Sequence, residues 1–493
     1  MKASFIWDGK SLDEARFHAR ACLLAVVGRQ QNPDSLNRNT KEEHHSLDDS
    51  DSDDDGSDAT TIAPRMIVKT SGKAKLKESF LDRLAEVLSR EKPQPGEKAE
   101  HVAATAMMEG DDEATIYVAK NGGLDDVDRS MLHVLKIWVR AIAADGRRRD
   151  ITKDAMWKKL IDYYQKRLNF YRQGLLQGLE PYLTRIDSEY ATAKRLSGLA
   201  RLRASLAAVG TDWCAVVHAA YELQFDKSGM SDVEKIAKED SRRLWQSIRL
   251  LGRLRVAYET FIEGALHLAI FKKVNIVAND AGLNEEVADK ASRPLPPMVS
   301  AHFKMLTSKQ RKACKLKLAK PCSIHAEVQL LMQLEPVLRE DSNAARVFNY
   351  IGCSKRTCFL CCKLIGEHGF FRTRGTHGKV YDQWSIPTSH ELPIASVFRI
   401  MVALVDIESD MITRFENSLC SRELPLVAES SIGNSEHSAT SMHRHRLRQV
   451  GLETEGLYAV DSDKRREDPP VTKLGKRRTS FRAARIPQTV EVQ

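Results

Sequence analysis

Hydrophobic and polar positions divide the chain into periodic segments and segments without a period. Between about residues 74 and 290, apolar residues recur mostly three or four positions apart, which is the spacing of an amphipathic helix. Residues 125–144 carry one such stripe, which ends at Gly146, and residues 244–271 carry another long one. We therefore predict a mostly α-helical region over residues 67–290, and its chemistry is not evident from the pattern.

The pattern changes near Asp280. The segment Arg-Pro-Leu-Pro-Pro at 293–297 predicts a boundary or a rigid linker. Beyond it, the predicted elements are, in order, a helix over 326–339, a short buried strand over 345–353, a helix over 358–367 ended at Gly369, a strand over 380–386 and a helix over 394–416. Pro336 can end the first of these helices early. This alternation predicts an α/β domain over residues 291–416.

Two segments are polar and show no period. Residues 30–66 contain an acidic run at 48–58, and residues 417–493 are polar and basic. Such segments bury too little apolar surface to offset the loss of chain entropy, so we predict a disordered acidic linker and a disordered basic tail. The remaining segment, 1–29, is predicted to be a short helical N-terminal segment.

Composition adds limits on size and location. The chain has 493 residues, of which 42% are apolar and 29% charged, so two or three folded units are expected. The net charge of +9 permits a nucleic-acid partner without requiring one. No segment has the roughly 18 apolar residues of a membrane span, and the start has no signal-peptide pattern. We expect an intracellular protein, cytoplasmic or nuclear, with no membrane partner.

Cysteine placement indicates a metal site. The chain has nine cysteines, and four of them lie within ten residues: Cys353, Cys358, Cys361 and Cys362. This crowding is more typical of metal binding than of a disulfide framework. His325 and Glu327 precede Cys358 and Cys361, and one imidazole with two thiolates is a common zinc ligand set that leaves a fourth position for water. H-x-E followed by P-C-x-x-C is the signature of zinc deaminases, with Thr357 here in place of the proline.

The predicted elements suit that chemistry. If helices begin at His325 and at Cys358, both N-termini can converge on one ion, where backbone amides and the helix dipole favour thiolates. Glu327 lies two positions after His325 and can move protons without binding the metal. A fourth thiolate from Cys353, Cys362 or Cys322 is the alternative, and it would close the site as a structural one.

The same residues carry a resemblance to a known family. The segments concerned are His325-Ala-Glu-Val-Gln-Leu-Leu331, Tyr350-Ile-Gly-Cys-Ser-Lys-Arg-Thr-Cys-Phe-Leu-Cys361, Thr376-His-Gly-Lys-Val-Tyr381 and Trp384-Ser-Ile-Pro387. Over about 290–415 the chain resembles a fungal-expanded deaminase-like family, related to bacterial toxin deaminases, in the cytidine deaminase-like superfamily. The resemblance implies an α/β/α sandwich, Zn²⁺ held by His325, Cys358 and Cys361, and Glu327 as proton shuttle. No pattern in 270–322 locates the N-terminal β-hairpin of that fold.

Further side chains, which follow Cys358 and Cys361 in the chain, are candidates for the wall of a substrate pocket. His377, Tyr381 and Trp384 could stack on a base or hydrogen-bond to it, although ordinary strand packing explains Tyr381 and Trp384 equally well. Three basic residues could meet phosphate or line a solvated loop: Arg372, Arg374 and Lys379.

The leading hypothesis is a zinc-dependent hydrolytic deaminase of a nucleobase in nucleic acid or in a nucleotide. One alternative is a catalytically silent, zinc-stabilised interaction module. Another is a zinc hydrolase that acts on a non-nucleobase amide or amidine. Neither the base nor the polymeric state of the substrate follows from the sequence.

Overall fold

A computed structural model describes a large part of the chain. The described residues are 6–7, 12–28, 72–91, 101–144, 149–182, 198–208, 212–225, 231, 233–234, 241–279, 296–320, 322–339, 346–387 and 392–420. They belong to one compact unit within Met1–Val427. The predicted acidic linker lies outside the described residues, as does the predicted basic tail beyond residue 420. No described helix is long and apolar enough to cross a membrane.

Helices dominate the described residues. The α-helices are α1 (Glu14–Gly28), α2 (Lys73–Leu88), α3 (Asp126–Ala144), α4 (Arg149–Leu179), α5 (Gly198–Ala207), α6 (Trp213–Phe225), α7 (Ser241–His267), α8 (Pro297–Met305), α9 (Ser308–Leu318), α10 (Ala326–Leu334), α11 (Phe359–His368) and α12 (Ile394–Cys420). The strands are β1 (Ala103–Glu109), β2 (Ala114–Lys120), β3 (Asn275–Ala278), β4 (Ser323–Ile324), β5 (Val347–Cys353) and β6 (Trp384–Ser385). Short 3₁₀-helices occupy Glu180–Tyr182, Ala269–Lys273 and Val337–Arg339.

Four of these strands form one sheet in the order β3-β2-β1-β5. Strand β1 is antiparallel to both β2 and β5, whereas β3 runs parallel to β2. A tight turn joins β1 to β2, in which the N–H of Gly110 donates to the carbonyl of Glu113 (2.8 Å). Strands β4 and β6 form a separate parallel pair.

Helices cover both faces of the sheet, because successive strand residues point to opposite sides. Met107, Ile116 and Val118 belong to a core shared with α2 and the helices α3 to α7. Ile351 and Cys353 belong to a second core, shared with α1 and the helices α10 to α12. The protein is therefore a mixed α/β structure with mostly helical content and a small sheet.

Several predicted elements are confirmed. The helices predicted over 125–144, 244–271 and 394–416 are α3, α7 and α12, and the predicted strand over 345–353 is β5. The helix predicted over 326–339 is α10. It ends at Leu334, before Pro336, as the proline permits. The strand predicted over 380–386 is reduced to the two residues of β6.

The interpretation of residues 67–290 as helical missed three strands. Strands β1, β2 and β3 lie inside that region, and β1 pairs with β5, so the sheet crosses the boundary predicted at residue 291. The sequence of β1 is Ala-Ala-Thr-Ala-Met-Met-Glu, which lacks the β-branched and aromatic residues typical of strands. Pairing with a strand on each side, rather than local preference, makes this segment extended.

The backbone of helix α2 packs directly against the backbone of the edge strand β5. A Cβ atom on Gly352 would lie 2.5 Å from the carbonyl carbon of Leu81, so only glycine fits there. Asp82 accepts hydrogen bonds from the Tyr350 hydroxyl (2.7 Å) and from the N–H of Cys353 (2.9 Å). Burial raises the pKa of Asp82 to about 6, with Arg374 partly offsetting that rise. These contacts fix α2 against the strand that precedes Cys358 and Cys361.

One buried carboxylate joins three parts of the fold. Glu86 of α2 contacts Arg83 (2.6 Å), Arg253 of α7 (3.1 Å) and Arg374, which follows α11 (3.0 Å). Burial favours the protonated carboxyl, but the charges of Arg253, Arg83 and Arg374 outweigh it and lower the pKa of Glu86 to about 2. The ionised carboxylate therefore stabilises the attachment of the helical region to the sheet.

We predict that Glu86→Gln lowers the free energy of unfolding by about 3 kcal/mol near pH 7, because three guanidinium groups lose their counter-charge. The pKa of Glu86 is depressed from 4.5 to about 2 in the folded protein. Its contribution is therefore complete above 4.5 and is lost as the pH falls towards 2. Urea unfolding at several pH values measures this. Glu113→Gln, at an exposed carboxyl, is the control, and equal midpoints for both variants at neutral pH would contradict the prediction.

Candidate metal centre

His325 stands at the N-terminus of α10, where the end of β2 positions it. The side-chain oxygen of Asn121, the residue after β2, accepts a hydrogen bond from the N–H of Ala326 (2.7 Å). The side-chain amide of Gln329 donates to the carbonyl of Lys120 (3.2 Å). The first turn of α10 is thus attached to the end of β2 at two positions that follow the imidazole-bearing residue.

Cys358 and Cys361 lie at the start of α11, directly after the segment that follows β5. Cys358 is the N-cap residue, and its Sγ accepts a hydrogen bond from the N–H of Cys361 (3.3 Å). The helix ends at Gly369, whose φ of 77° is the left-handed conformation that glycine adopts readily. The helix predicted over 358–367 is therefore confirmed, and its N-terminus faces the imidazole.

The three side chains come together at a spacing suited to a metal ion. His325 Nδ1 lies 3.6 Å from Cys358 Sγ and 3.4 Å from Cys361 Sγ. The three ligand atoms lie within 4.8 Å of one another. Tetrahedral zinc, with bonds of about 2.0 Å to nitrogen and 2.3 Å to sulfur, would separate these atoms by about 3.6 Å. The donor set and its spacing therefore fit a zinc ion.

Electrostatics at the site favour an ionised thiolate at Cys358. Burial opposes ionisation, but the hydrogen bond from Cys361 and the charge of His325 hold the pKa of the Cys358 thiol well below its ordinary value. The N-terminus of α11 acts in the same direction, since its backbone N–H groups point towards the sulfur. The site is thus prepared to bind a cation.

Glu327 lies beside the three ligand atoms in the first turn of α10. It is 3% exposed, and its Oε2 is 3.7 Å from Cys361 Sγ. Burial raises the pKa of the Glu327 carboxyl above its ordinary value, while the charge of His325 acts in the opposite direction. A carboxyl at this position can hold a proton close to the metal position without being one of the three ligands.

The nearby cysteines do not join the group of three. In the described residues, His325, Cys358 and Cys361 are the group of potential ligands whose atoms approach within 4.8 Å. Cys353 is buried in β5, and its Sγ hydrogen-bonds to the carbonyl of Ile351 (3.5 Å). A ligand set of one imidazole and two thiolates leaves one tetrahedral position open.

Aromatic side chains lie next to the ligand cluster, one of them buried and another at its solvent-facing edge. Trp384 is buried, and its indole N–H donates to Cys361 Sγ (3.3 Å). Tyr381 is 40% exposed, and its ring centroid lies 5.9 Å from that of His325. The ring of His377 contacts Tyr381 at 5.7 Å. Trp384 therefore supports a thiol from inside, whereas Tyr381 stands at the edge that solvent reaches.

The basic residues after α11 differ in what they contact. Arg372 pairs with Glu78, and Arg374 pairs with Glu86, so both guanidinium groups bind carboxylates of α2. Lys379 is exposed. The two arginines are therefore part of the attachment of α2.

Thr357 explains how this chain does without the proline of the signature. It is fully buried, and both its N–H and its hydroxyl donate to the carbonyl of Gly375 (3.0 Å each). The Thr376 hydroxyl in turn donates to the carbonyl of Thr357 (2.7 Å). Proline at 357 would remove both donors, so threonine holds the loop that leads to His377 and Tyr381.

Sequence reasoning missed Asn121. It lies 205 residues before Ala326 and in a region interpreted as helical. The available signal was local: a polar residue three positions after Thr-Ile-Tyr-Val, which has strand character at 115–118. That signal predicts a strand end and not the element that the strand end contacts.

Comparisons with known proteins agree with this geometry. Residues 324–388 match the model of the OTT_1508-like deaminase family. The matched segment runs from β4 through α11 and β6, so it contains His325, Glu327 and both cysteines. Searches of curated proteins and of solved structures gave no significant match. The match supports a deaminase-like domain in this part of the chain.

We predict that Thr357→Val costs about 1 kcal/mol of unfolding free energy, because one buried hydrogen bond is lost. Thr357→Pro should cost at least twice as much, because it removes both donors to Gly375. Thermal unfolding followed by circular dichroism measures both. Thr413→Val is the control, since its hydroxyl donates to Ser409 on an exposed helix face. A proline variant as stable as the wild type would show that the donors of Thr357 are not needed.

Proposed function

We propose that this chain is a zinc-dependent hydrolytic deaminase that acts on a nucleobase in nucleic acid or in a nucleotide. The observation that carries the proposal is a buried carboxyl, that of Glu327, beside one imidazole and two thiols at tetrahedral-metal spacing. A closed structural zinc site needs four protein ligands and no such carboxyl. The deaminase-like match over 324–388 supports the same reaction class.

His325, Cys358 and Cys361 would hold the ion. When bound, a zinc ion with three protein ligands supplies Lewis acidity and an open coordination position. The chain's contribution is to hold the ligands rigidly: the hydrogen bond that Ala326 N–H donates to Asn121 fixes the start of α10, and Trp384 donates to one sulfur. Such supporting hydrogen bonds orient the ligands of metal sites in general.

In this proposal Glu327 transfers the protons. Hydrolytic deamination adds water to the ring carbon that carries the amine and releases ammonia. One proton must therefore reach a ring nitrogen, and a second must reach the leaving amine. Glu327 is buried next to the ligand cluster, and burial favours the protonated carboxyl that such transfers require.

We also propose that the deaminase-like sandwich extends beyond residues 291–416. It would comprise α2, the β1–β2 hairpin, α10, β5 and α11, with helices α3 to α9 and the short strands β3 and β4 between β2 and α10. Pairing of β1 with β5 and the bond between Asn121 and Ala326 support this assignment. The hairpin that the sequence did not locate would then be residues 103–120.

We predict that the purified wild type binds one zinc ion per chain, whereas Cys358→Ser and His325→Ala bind none tightly, because two protein ligands hold zinc poorly. Elemental analysis after dialysis against a weak chelator measures the stoichiometry. Cys362→Ser is the matched control, since this adjacent cysteine lies outside the ligand group. Loss of zinc in the control variant, or none in the wild type, would contradict the assignment.

We predict that Glu327→Gln retains zinc and loses ammonia release by at least about a hundredfold, the usual contribution of a general acid–base group. Ammonia is measured over a panel of bases, nucleosides, nucleotides and single-stranded nucleic acids. Zinc at full occupancy with no ammonia from any member would favour a silent zinc-stabilised module. Release only from non-nucleobase amides or amidines would favour a hydrolase of that class.

A further inference from the structure

The outer face of α9 carries an unusual concentration of positive charge. The eleven residues Ser308–Leu318 include five Lys or Arg and no Asp or Glu. Lys309, Lys312 and Lys315 are exposed and follow one another at intervals of three, which places them along one ridge of the helix. Lys320, just beyond the helix, is exposed as well. The ridge between the first and third lysines is about 9 Å long.

These lysines face outward because the opposite side of α9 is held in the protein. Gln310 and Cys314 are buried, and Gln310 closes a reciprocal pair of hydrogen bonds with Thr307 at the start of the helix. The helix also packs against α1. The direction in which the lysine ridge points is therefore fixed.

Their charge is not neutralised within the described part of the chain. Lys309, Lys312, Lys315 and Lys320 have no side-chain partner there. Buried and half-buried cations elsewhere in the fold do have partners: Arg16 and Arg20 bind Glu408, Lys363 binds Asp410, and Arg253 binds Glu86. On α9, three exposed lysines lie together on one ridge of a helix without Asp or Glu, where an outside anion can reach them.

The C-terminal end of α9 contacts a segment at the edge of the candidate metal centre. Lys317, near the end of α9, pairs with Asp382. Asp382 directly follows Tyr381, whose half-exposed ring lies 5.9 Å from that of His325. The end of α9 is therefore paired with the segment that carries this aromatic ring at the edge of the site.

We propose that the outer face of α9 binds the backbone of a single-stranded nucleic acid and delivers one of its bases past Tyr381 to the candidate metal centre. Phosphates meet lysines in such grooves while bases stack on aromatic rings, and both contacts tolerate any sequence. The inference rests on the proposed function only for what then happens to the base.

A strand fits this surface better than two other anionic partners. A free nucleotide has its phosphates at one end and cannot use a ridge of lysines that continues away from the site. An anionic bilayer requires a broad apolar face beside the lysines. The apolar face of α9 is turned into the protein, and Leu316 is its one exposed large apolar side chain among the described residues.

The test compares two triple variants of the full chain. Lys309→Gln/Lys312→Gln/Lys315→Gln removes the ridge, and Lys158→Gln/Lys159→Gln/Lys272→Gln removes the same charge from exposed lysines elsewhere. Glutamine keeps helix propensity close to that of lysine, and circular dichroism checks the fold. Both variants retain the basic tail, so the comparison isolates α9. Fluorescence anisotropy reports binding of labelled RNA and DNA single strands of about 20 nucleotides.

We expect the ridge variant to bind the strands at least about tenfold more weakly than the wild type. The slope of log K against log salt concentration, measured between about 50 and 200 mM salt, should become less negative by about 2. The control variant should bind as the wild type does. Equal losses in both variants, or no loss in the ridge variant, would overturn the proposal. So would a ridge-dependent affinity for phosphatidylserine vesicles without any for strands.

Failure of this inference is separable from failure of the proposed function. Strand binding is measured without turnover, so loss of binding in the ridge variant supports the surface even if no ammonia is released. If deamination occurs, the ridge variant should keep the wild-type rate on a mononucleotide and show a raised KM on the strand. An unchanged KM on the strand would overturn the role of α9 and leave the deaminase intact.

Discussion

The position of the imidazole depends on one long-range contact, that between the end of β2 and the start of α10. Asn121 accepts from Ala326, and Lys120 accepts from Gln329, although these partners are 205 and 209 residues apart. After β2 the chain forms the helices α3 to α9, with strand β3 between α7 and α8, and then returns to the end of β2. Without this closure α10 would have no fixed direction, and His325 would have no fixed relation to the two thiols.

The second constraint is the packing of α2 on β5. Backbone contact at Gly352 and the hydrogen bonds of Asp82 fix the strand. The chain then turns at Thr357, which holds the following loop, and begins α11 at Cys358. Two helix N-termini therefore face each other across a short distance, each positioned by the sheet. Convergent backbone dipoles at such a point favour thiolates and a bound cation.

Charge is distributed according to burial. Inside, carboxylates such as Glu86 and Glu408 are surrounded by guanidinium groups, because a buried charge without a partner is costly. A similar pair, Glu335 with His368 (2.6 Å), joins the ends of α10 and α11 away from the metal position. On the outer face of α9 the lysines lack such partners among the described residues. Buried charges are thus neutralised by ion pairs, whereas the outer face of α9 carries a net positive charge.

Sequence alone determined the local features: the periodic helices α3, α7 and α12, the strand β5, and the start and end of α11. It also gave His325, Glu327, Cys358 and Cys361 as candidate site residues, because ligand type and spacing are properties of short segments. Only the tertiary structure decided that β1 is a strand and that Asn121 reaches α10. The pairing of β1 with β5 and the contact of Asn121 with α10 each join segments more than 200 residues apart, and neither an Ala-Met segment nor a single asparagine carries a local signal of such a partner.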